Sequence, residues 1–135
     1  MISKRKMAYI AHPMAGRSGD IKENFKNNMD AIQKICDFAT VKIFEEEANG
    51  TNDTPWFFAP QLYVSQFVNE SKVNKDLFKL TRKVAIEFCL AFVDRVDEVH
   101  VYKPEELSRG VMDDIERASG NGTPVIFKEK YPWEI

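Results

Sequence analysis

The sequence predicts a single α/β domain, a flavodoxin-like or Rossmann-like parallel sheet of four to five strands with helices on both faces. Short apolar runs alternate with longer segments in which apolar residues recur at helical spacing. Clusters of glycine, proline and asparagine separate these segments. Strands separated by helices form β-α-β units, which place parallel strands in one sheet. The 135 residues suffice for one such domain, which we expect to span residues 1–135.

The amino-terminal part predicts a strand, a loop and a helix. Met7–Ala11 is a short apolar run followed at once by turn residues, which is typical of a strand. Residues 12–19 then form a loop that contains two glycines. Asp20 is expected to cap the first helix, with Glu23 completing a capping box, and the helix should end near Phe38. Its apolar face comprises Ile21, Phe25, Met29, Ile32 and Cys36.

The middle of the chain predicts a second long helix after several shorter pieces. Residues 41–44 favour a short strand, and residues 45–54 favour a polar loop. Residues 56–59 are a second apolar run, while residues 61–69 fit either a short helix or an ordered loop. Asn74 is expected to cap the helix that follows. Its apolar stripe comprises Leu77, Leu80, Val84, Phe88 and Ala91, and Phe78, Ala85, Cys89 and Phe92 widen it.

The carboxyl-terminal part predicts a strand, a helix and a final strand. The strand covers residues 97–102 and is followed by a loop over residues 103–107. Ser108 is expected to open the helix, and residues 120–122 should end it because they contain two glycines and an asparagine. Residues 124–127 form the last strand. The inner face of the helix comprises Val111, Ile115 and Ala118.

Composition restricts the class of protein. Hydrophobic residues make up 44% and charged residues 30%, with a formal charge of −2, so no global charge attracts a nucleic-acid polymer. The basic run Lys4, Arg5 and Lys6 is interpreted as a solubilising tail. No apolar run is long enough for a membrane span or a signal peptide. We therefore expect a cytoplasmic location, with Cys36 and Cys89 as reduced thiols.

Two loops are the candidates for a ligand site. In open parallel sheets, ligands bind outside the carboxyl ends of the strands, where the strand order reverses. Residues 12–19 and 103–110 both follow predicted strands and lead into helix N-termini, which attract anions. The first loop matches neither the dinucleotide fingerprint nor the phosphate-binding loop of nucleotide hydrolases. Arg17 fits either an anion contact or a solvated turn, and Asp114 fits either chemistry or compensation of the helix dipole.

The remaining polar and aromatic residues favour structural roles. His100 lies within a strand pattern, and Trp56 and Trp133 are interpreted as packing anchors. With two histidines and two distant cysteines, we expect neither a metal site nor a cofactor.

Three segments resemble the nucleoside 2-deoxyribosyltransferase-like superfamily. AYIAHPMAG, at residues 8–16, is similar to its opening strand and loop. FFAPQLYVSQF, at residues 57–67, is similar to a middle segment of its small bacterial and phage members. DEVHVYKPEELSRGVMDDIERASGNGTPVIF, at residues 97–127, is similar to its closing strand, its S-x-G-x-x-x-E helix and its final strand. In order and spacing, these segments cover nearly the whole chain.

The resemblance implies a reaction at the anomeric carbon of a nucleoside. In that family, a glutamate ending G-x-x-x-E attacks this carbon, and a tyrosine on the first strand orients the carboxylate. By position, the nucleophile falls at Asp114 and the orienting residue at Tyr9, and a homo-oligomer is implied. The implied substrate-binding residues are His12, Pro13, Met14, Gly16, Arg17, Asn24, Gln61, Ser108, Arg109 and Gly110.

The sequence departs from the family pattern at two of these positions. Asp114 is shorter than the expected glutamate by one methylene, and Gln61 replaces a histidine that is usual in small bacterial members. Glu116 cannot substitute for Asp114, because two helical steps turn it to another side. Two principal hypotheses remain open, an enzyme that cleaves or exchanges N-glycosidic bonds and a catalytically impaired protein that senses or sequesters a nucleotide. A scaffold with a vestigial pocket is a third.

Overall fold

The protein is built around a four-stranded, all-parallel sheet flanked by helices, as the sequence predicts. The structure is a computed structural model that describes residues 4–14, 19–62 and 75–134. For Ile21 and for residues 75–82, only the backbone is described. The predictions for Asn74, for residues 63–69 and for the side chains of Leu77, Phe78 and Leu80 lie outside what the structure describes.

The sheet has the strand order β2-β1-β3-β4. Each neighbouring pair is parallel, and the register places Tyr9 opposite both Phe58 and Val99. The strands are β1 (Met7–Ala11), β2 (Trp56–Phe58), β3 (Glu98–Tyr102) and β4 (Val125–Lys128). Among the described residues, the connections contain α1 (Ile21–Asn49), α2 (Lys75–Val93), the 3-10 turn Pro104–Glu106 and α3 (Arg109–Gly120).

Helix α1 is much longer than the sequence pattern predicts. Asp20 caps it as expected, accepting hydrogen bonds from the backbone N–H groups of Lys22 and Glu23 at 2.9 and 3.3 Å. The helix passes through residues 41–44 and ends only at Gly50, which has the left-handed backbone typical of a helix end. The predicted strand and most of the predicted loop are therefore wrong. The buried residues Ile35, Ala39 and Ile43 continue the helical spacing past Phe38, and they decide the conformation.

The sheet separates two apolar cores. On one side, Tyr9 and Ala11 pack with Val99 and Val101 against α3 and the partly buried Cys89 of α2. On the other side, Ile10 and Tyr102 pack against α1 and the partly buried Cys36. Because side chains alternate along β1 and β3, successive residues face opposite sides of the sheet. The two cysteines consequently lie on opposite sides of the sheet.

The prediction that Arg5 belongs to a solubilising tail is wrong. Its guanidinium is buried and donates to Glu46 at 2.6 Å, to Glu47 at 2.9 Å and to the carbonyl oxygen of Thr54 at 2.8 Å. It also lies over the ring of Trp56, 5.7 Å from the centroid. Arg5 therefore clamps the end of α1 to the amino edge of the sheet, because its fork of N–H donors matches several acceptors at once.

No described helix combines the length and the apolar character needed to cross a membrane.

Candidate functional site

The carboxyl ends of β1 and β3 mark the point where the strand order reverses. From β1 the chain goes to β2 on one side of the sheet and then crosses to β3 on the other. The two ends lie side by side, with Ala11 opposite Val101. His12 and Lys103 leave the sheet from these neighbouring ends, which is where parallel sheets place their ligands.

Tyr9 and Asp114 form a buried polar pair at this point. Asp114, on the second turn of α3, is 6% exposed, and Tyr9 on β1 is 1% exposed. The Tyr9 hydroxyl donates a hydrogen bond to the Asp114 carboxyl, and Cys89 of α2 also contacts the hydroxyl. Two residues that are 105 positions apart are thus brought together, as the resemblance implies.

Burial controls the charge of this carboxyl. Removal from water, together with the negative charge of Asp113, raises the pKa of Asp114 to about 8. The hydrogen bond from Tyr9 opposes this rise, because it favours the ionised form. At neutral pH the carboxyl therefore carries a proton in most molecules. A buried carboxyl that titrates near neutral pH is typical of a catalytic acid or base.

The N-terminus of α3 lies beside this pair and is open to solvent. Ser108 caps the helix by accepting a hydrogen bond from the Val111 backbone N–H at 3.3 Å, as predicted. Arg109 is exposed. A side chain added at Gly110 would meet no described atom within 4 Å. This first turn therefore leaves space in which a ligand can approach the backbone.

Both ring nitrogens of His12 are engaged within the chain. Its Nδ1 lies 2.7 Å from the carbonyl oxygen of Pro13, and its Nε2 lies 2.7 Å from the hydroxyl of Tyr131. Because a carbonyl only accepts, Nδ1 carries the proton and Nε2 accepts from Tyr131. Burial lowers the pKa of His12, so the ring is neutral at neutral pH. A ligand that bonds to Nε2 must replace Tyr131.

Aromatic rings from the C-terminal segment cover His12, which the sequence analysis missed. Tyr131 stacks on Tyr102 with an angle of 10° between the ring planes, and on Trp133 with an angle of 6°. The amine of Lys34 lies 4.3 Å from the centroid of Trp133. We call Tyr102, Tyr131 and Trp133 the aromatic stack. No local pattern predicts it, because its contacts join residues far apart in sequence.

Two amides hold the strand ends on the α1 side of the sheet. Gln61 donates to the carbonyl oxygen of Ile10 at 2.8 Å, and Asn28 donates to that of Met14 at 2.7 Å. Both amides are buried. The Oε1 atom of Gln61 has no donor within hydrogen-bonding distance among the described residues. These side chains position the backbone around His12, and they do so from inside the fold.

Lys103 is the one described non-glycine residue with a left-handed backbone, at a φ of 51°. It directly follows β3 and precedes the 3-10 turn. Its amine lies 3.8 Å from the carboxylate of Glu106, and both side chains are partly exposed. A lysine in this conformation strains the backbone, and such strain is often found at functional positions.

The predicted site residues thus fall into two groups on opposite sides of the sheet. Tyr9 and Asp114 lie on the α2–α3 side, with the N-terminus of α3 close by. The second group lies on the α1 side. It comprises His12, Met14 and Gln61, with Pro13 buried beside them and Asn24 half-buried on α1. Gly16 and Arg17 lie outside the described residues, and Glu116 is exposed.

His100 lies apart from the two groups of predicted site residues. His100 is buried on β3, bonds to Glu98 at 2.8 Å and meets Phe57 edge-on. Within residues 4–14, 19–62 and 75–134, no three His, Cys, Asp or Glu side chains approach closely enough to hold a metal ion.

The chain matches one family model, described as a domain of unknown function (DUF7768), over residues 6–128. The match includes Tyr9, His12, Gln61 and Asp114, and it ends before Tyr131. No curated protein and no solved structure matches the chain. Because the match spans all four strands and nearly the whole sequence, the chain belongs to the DUF7768 family of domains of unknown function.

Proposed function

We propose that this chain cleaves the N-glycosidic bond of a nucleoside or nucleotide, or transfers the deoxyribosyl group to another base. Asp114 is the nucleophile and Tyr9 orients it. The observation that carries the proposal is the buried hydrogen bond from the Tyr9 hydroxyl to the Asp114 carboxyl beside the reversal point of the sheet. The resemblance to the nucleoside 2-deoxyribosyltransferase-like superfamily assigns these two roles to the same two residues.

The chemistry suits a carboxylate beside a tyrosine hydroxyl. As the C–N bond breaks, the base leaves with the bonding electrons and takes up a proton from solvent. The anomeric carbon develops oxocarbenium character, and the ionised carboxylate bonds to it to form a covalent glycosyl-enzyme. The Tyr9 hydrogen bond orients the carboxyl, and in its ionised form the carboxylate is the attacking group. Water or a second base then breaks the glycosyl-enzyme bond and regenerates the carboxylate.

The raised pKa of Asp114 gives the proposal a pH signature. An attacking carboxylate must be ionised, and burial keeps Asp114 protonated up to a pH of about 8 in the unliganded chain. The kcat/KM for base release should therefore rise with pH and level off above about 8. A cationic group brought in by the ligand would shift this rise to lower pH.

A protein that binds nucleotides without cleaving them is the second candidate. Two observations favour it, the proton on Asp114 near neutral pH and the aspartate side chain, which is one methylene shorter than the family's glutamate. A displacement of about 1 Å at a reacting atom can lower the rate roughly a hundredfold. On either reading we propose a homo-oligomer, as the resemblance implies, and we keep the cytoplasmic location as a proposal from the composition.

Base release measured by chromatography tests the proposal. Wild type is incubated with the common nucleosides and deoxynucleosides and their 5′-monophosphates, at pH 6 to 9. We expect release of free base from at least one substrate and its loss in Asp114→Asn, with ligand affinity nearly unchanged. Asp114→Glu should raise the rate, because it restores the reach of the family's glutamate.

Asp113→Asn is the matched control, since it removes a half-buried carboxylate one residue earlier on the same helix. It should retain base release, with the rise of the rate shifted to lower pH because Asp113 no longer raises the pKa of Asp114. If Asp114→Asn releases base at the wild-type rate, Asp114 is not the nucleophile. If wild type binds nucleotides and releases no base at any pH, the binding protein is the correct alternative.

A further inference from the structure

The hydroxyl of Tyr131 bonds to His12 in a way that a planar ligand could reproduce. The rings of Tyr102 and Tyr131 are nearly parallel, at 10°, with their centroids 5.9 Å apart. The Tyr131 hydroxyl lies 2.7 Å from the acceptor Nε2 of His12. The protein thus offers a flat aromatic surface with a hydrogen-bond acceptor at its edge. A ring that carries an N–H or O–H donor matches both features.

The acceptor character of His12 is fixed by its other nitrogen. The Nδ1 proton is committed to the carbonyl oxygen of Pro13, and His12 is only 2% exposed. Burial lowers the pKa of the ring, so Nε2 keeps its lone pair at neutral pH. Nucleobases with an exocyclic amino group, such as adenine and cytosine, present a donor of the matching kind.

The surrounding charges suit an uncharged ring better than a phosphate. Glu106, Glu134 and Glu105 lie close enough to Tyr131 to raise the pKa of its hydroxyl, which burial brings to about 12. The amine of Lys103 lies 3.8 Å from Glu106, and the amine of Lys34 lies against the ring of Trp133. Three carboxylates would repel an anion at this place.

The boundary of the family match separates the surface from the ring that covers it. His12 and Tyr102 lie within the matched residues 6–128, whereas Tyr131 and Trp133 lie after them. Trp133 stacks on the outer face of Tyr131 at 4.5 Å and is in turn held by Lys34. The shared domain therefore presents the surface, and the segment that follows it supplies the cover.

We propose that the surface formed by His12 and Tyr102 is a nucleobase subsite on the α1 side of the sheet, and that Tyr131 occupies it in the unliganded chain. This inference rests on the proposed function for the identity of the ligand. A base enters when Tyr131 swings out, stacks on Tyr102 and donates its amino N–H to Nε2 of His12. Tyr131 thereby competes with the ligand and lowers its apparent affinity.

The test is calorimetric titration of free adenine into wild type, Tyr131→Ala and Tyr131→Phe. Tyr131→Ala removes the ring and the hydroxyl, and it should lower the Kd for adenine by about tenfold, since the competing contact is lost. Tyr131→Phe keeps the ring and frees only Nε2, so it should lower the Kd by a smaller factor. The matched control is Trp56→Ala, which removes a half-exposed aromatic ring at the opposite edge and should leave the Kd unchanged.

Unchanged or weaker adenine binding in both Tyr131 variants overturns the proposal. If Tyr131→Ala fails to fold, Tyr131→Phe decides, because it preserves the stack. Tighter adenine binding in the variants, with no base release by any chain, would retain the subsite and refute the catalytic function. Base release that depends on Asp114, with the same KM in wild type and both variants, would retain the function and refute the subsite.

Discussion

The side-chain amide of Gln61 donates a 2.8 Å hydrogen bond to the carbonyl oxygen of Ile10 and so continues the edge of the sheet beyond the end of β2. A carbonyl only accepts, so the nitrogen must face Ile10 and the oxygen must point away. That oxygen is buried without a donor among the described residues. An unsatisfied buried acceptor lowers the free energy of unfolding by about 1–3 kcal/mol.

Gln61→Glu should destabilise the fold strongly at pH 7, because a carboxylate would face the carbonyl oxygen of Ile10 without a proton to donate. At pH 4 the carboxyl is protonated in part and can donate, so the loss should shrink. Urea unfolding at both pH values measures the difference, with Gln61→Met as the control, because it removes the donor without adding a titratable group. An equal loss at both pH values would mean that the Ile10 contact is not the cause.

Asp114→Asn should change how stability depends on pH. The pKa of this carboxyl is about 8 in the folded chain and near 3.8 in an exposed one, so folding favours the protonated form. Its contribution to stability is fully present below pH 4 and is lost as the pH rises toward 8. Asparagine is neutral throughout. Thermal unfolding should therefore show that the variant gains stability over wild type between pH 5 and pH 8, and a constant difference would contradict the assignment.

Arg5→Gln should lower the melting temperature more at pH 7 than at pH 2. Hydrogen bonds from Thr54 and then from Arg5 lower the pKa of Glu46 to about 2, against an ordinary value of 4.5. The contribution of this carboxylate is present above the ordinary value and disappears as the pH falls toward 2. Arg5→Lys should not restore stability, because a single ammonium cannot replace the fork. Lys4→Gln, which removes an exposed charge next to it, should have little effect.

Lys103→Gly should stabilise the fold by about 1 kcal/mol, since glycine adopts a positive φ without the strain that a side chain imposes. Lys103→Ala is the matched control, because it removes the ammonium and keeps the strained backbone. Chemical unfolding of the two variants separates the strain from the weak contact with Glu106. Equal stabilities of the glycine and alanine variants would show that the backbone is not strained.

The fold class follows from the sequence because the apolar periods of β1, β3, α3 and β4 agree with their final conformations. The boundaries of these elements lie within a residue or two of the prediction. The end of α1 is not predictable from the local sequence, because three of the four residues 41–44 are apolar and the segment resembles a strand. The burial of Ile43, which follows Ile35 and Ala39 at helical spacing, appears only in the folded chain.

The candidate site was predictable only where a local pattern exists. Ser108 is a helix cap that spacing reveals, and the pairing of Tyr9 with Asp114 came from the resemblance. The link from His12 to Tyr131 joins residues 119 positions apart, and no periodicity encodes it. Within any short stretch of sequence Arg5 resembles a solvated charge. Its hydrogen-bond acceptors, Glu46 and Glu47, lie 41 and 42 positions away.

The clamp around Arg5 has a practical consequence for attaching the protein to a surface or a dye. Lys4 is exposed, yet its carbonyl oxygen accepts a hydrogen bond from Asn52 at 3.1 Å, so its backbone is tied to a rigid part of the chain. Strands of five residues, roughly 17 Å long, separate this edge from His12 and Ser108. A tether at Lys4 would therefore hold every molecule in one orientation, with the reversal point of the sheet facing the solution, whereas a tether beside Trp133 would pull on the aromatic stack.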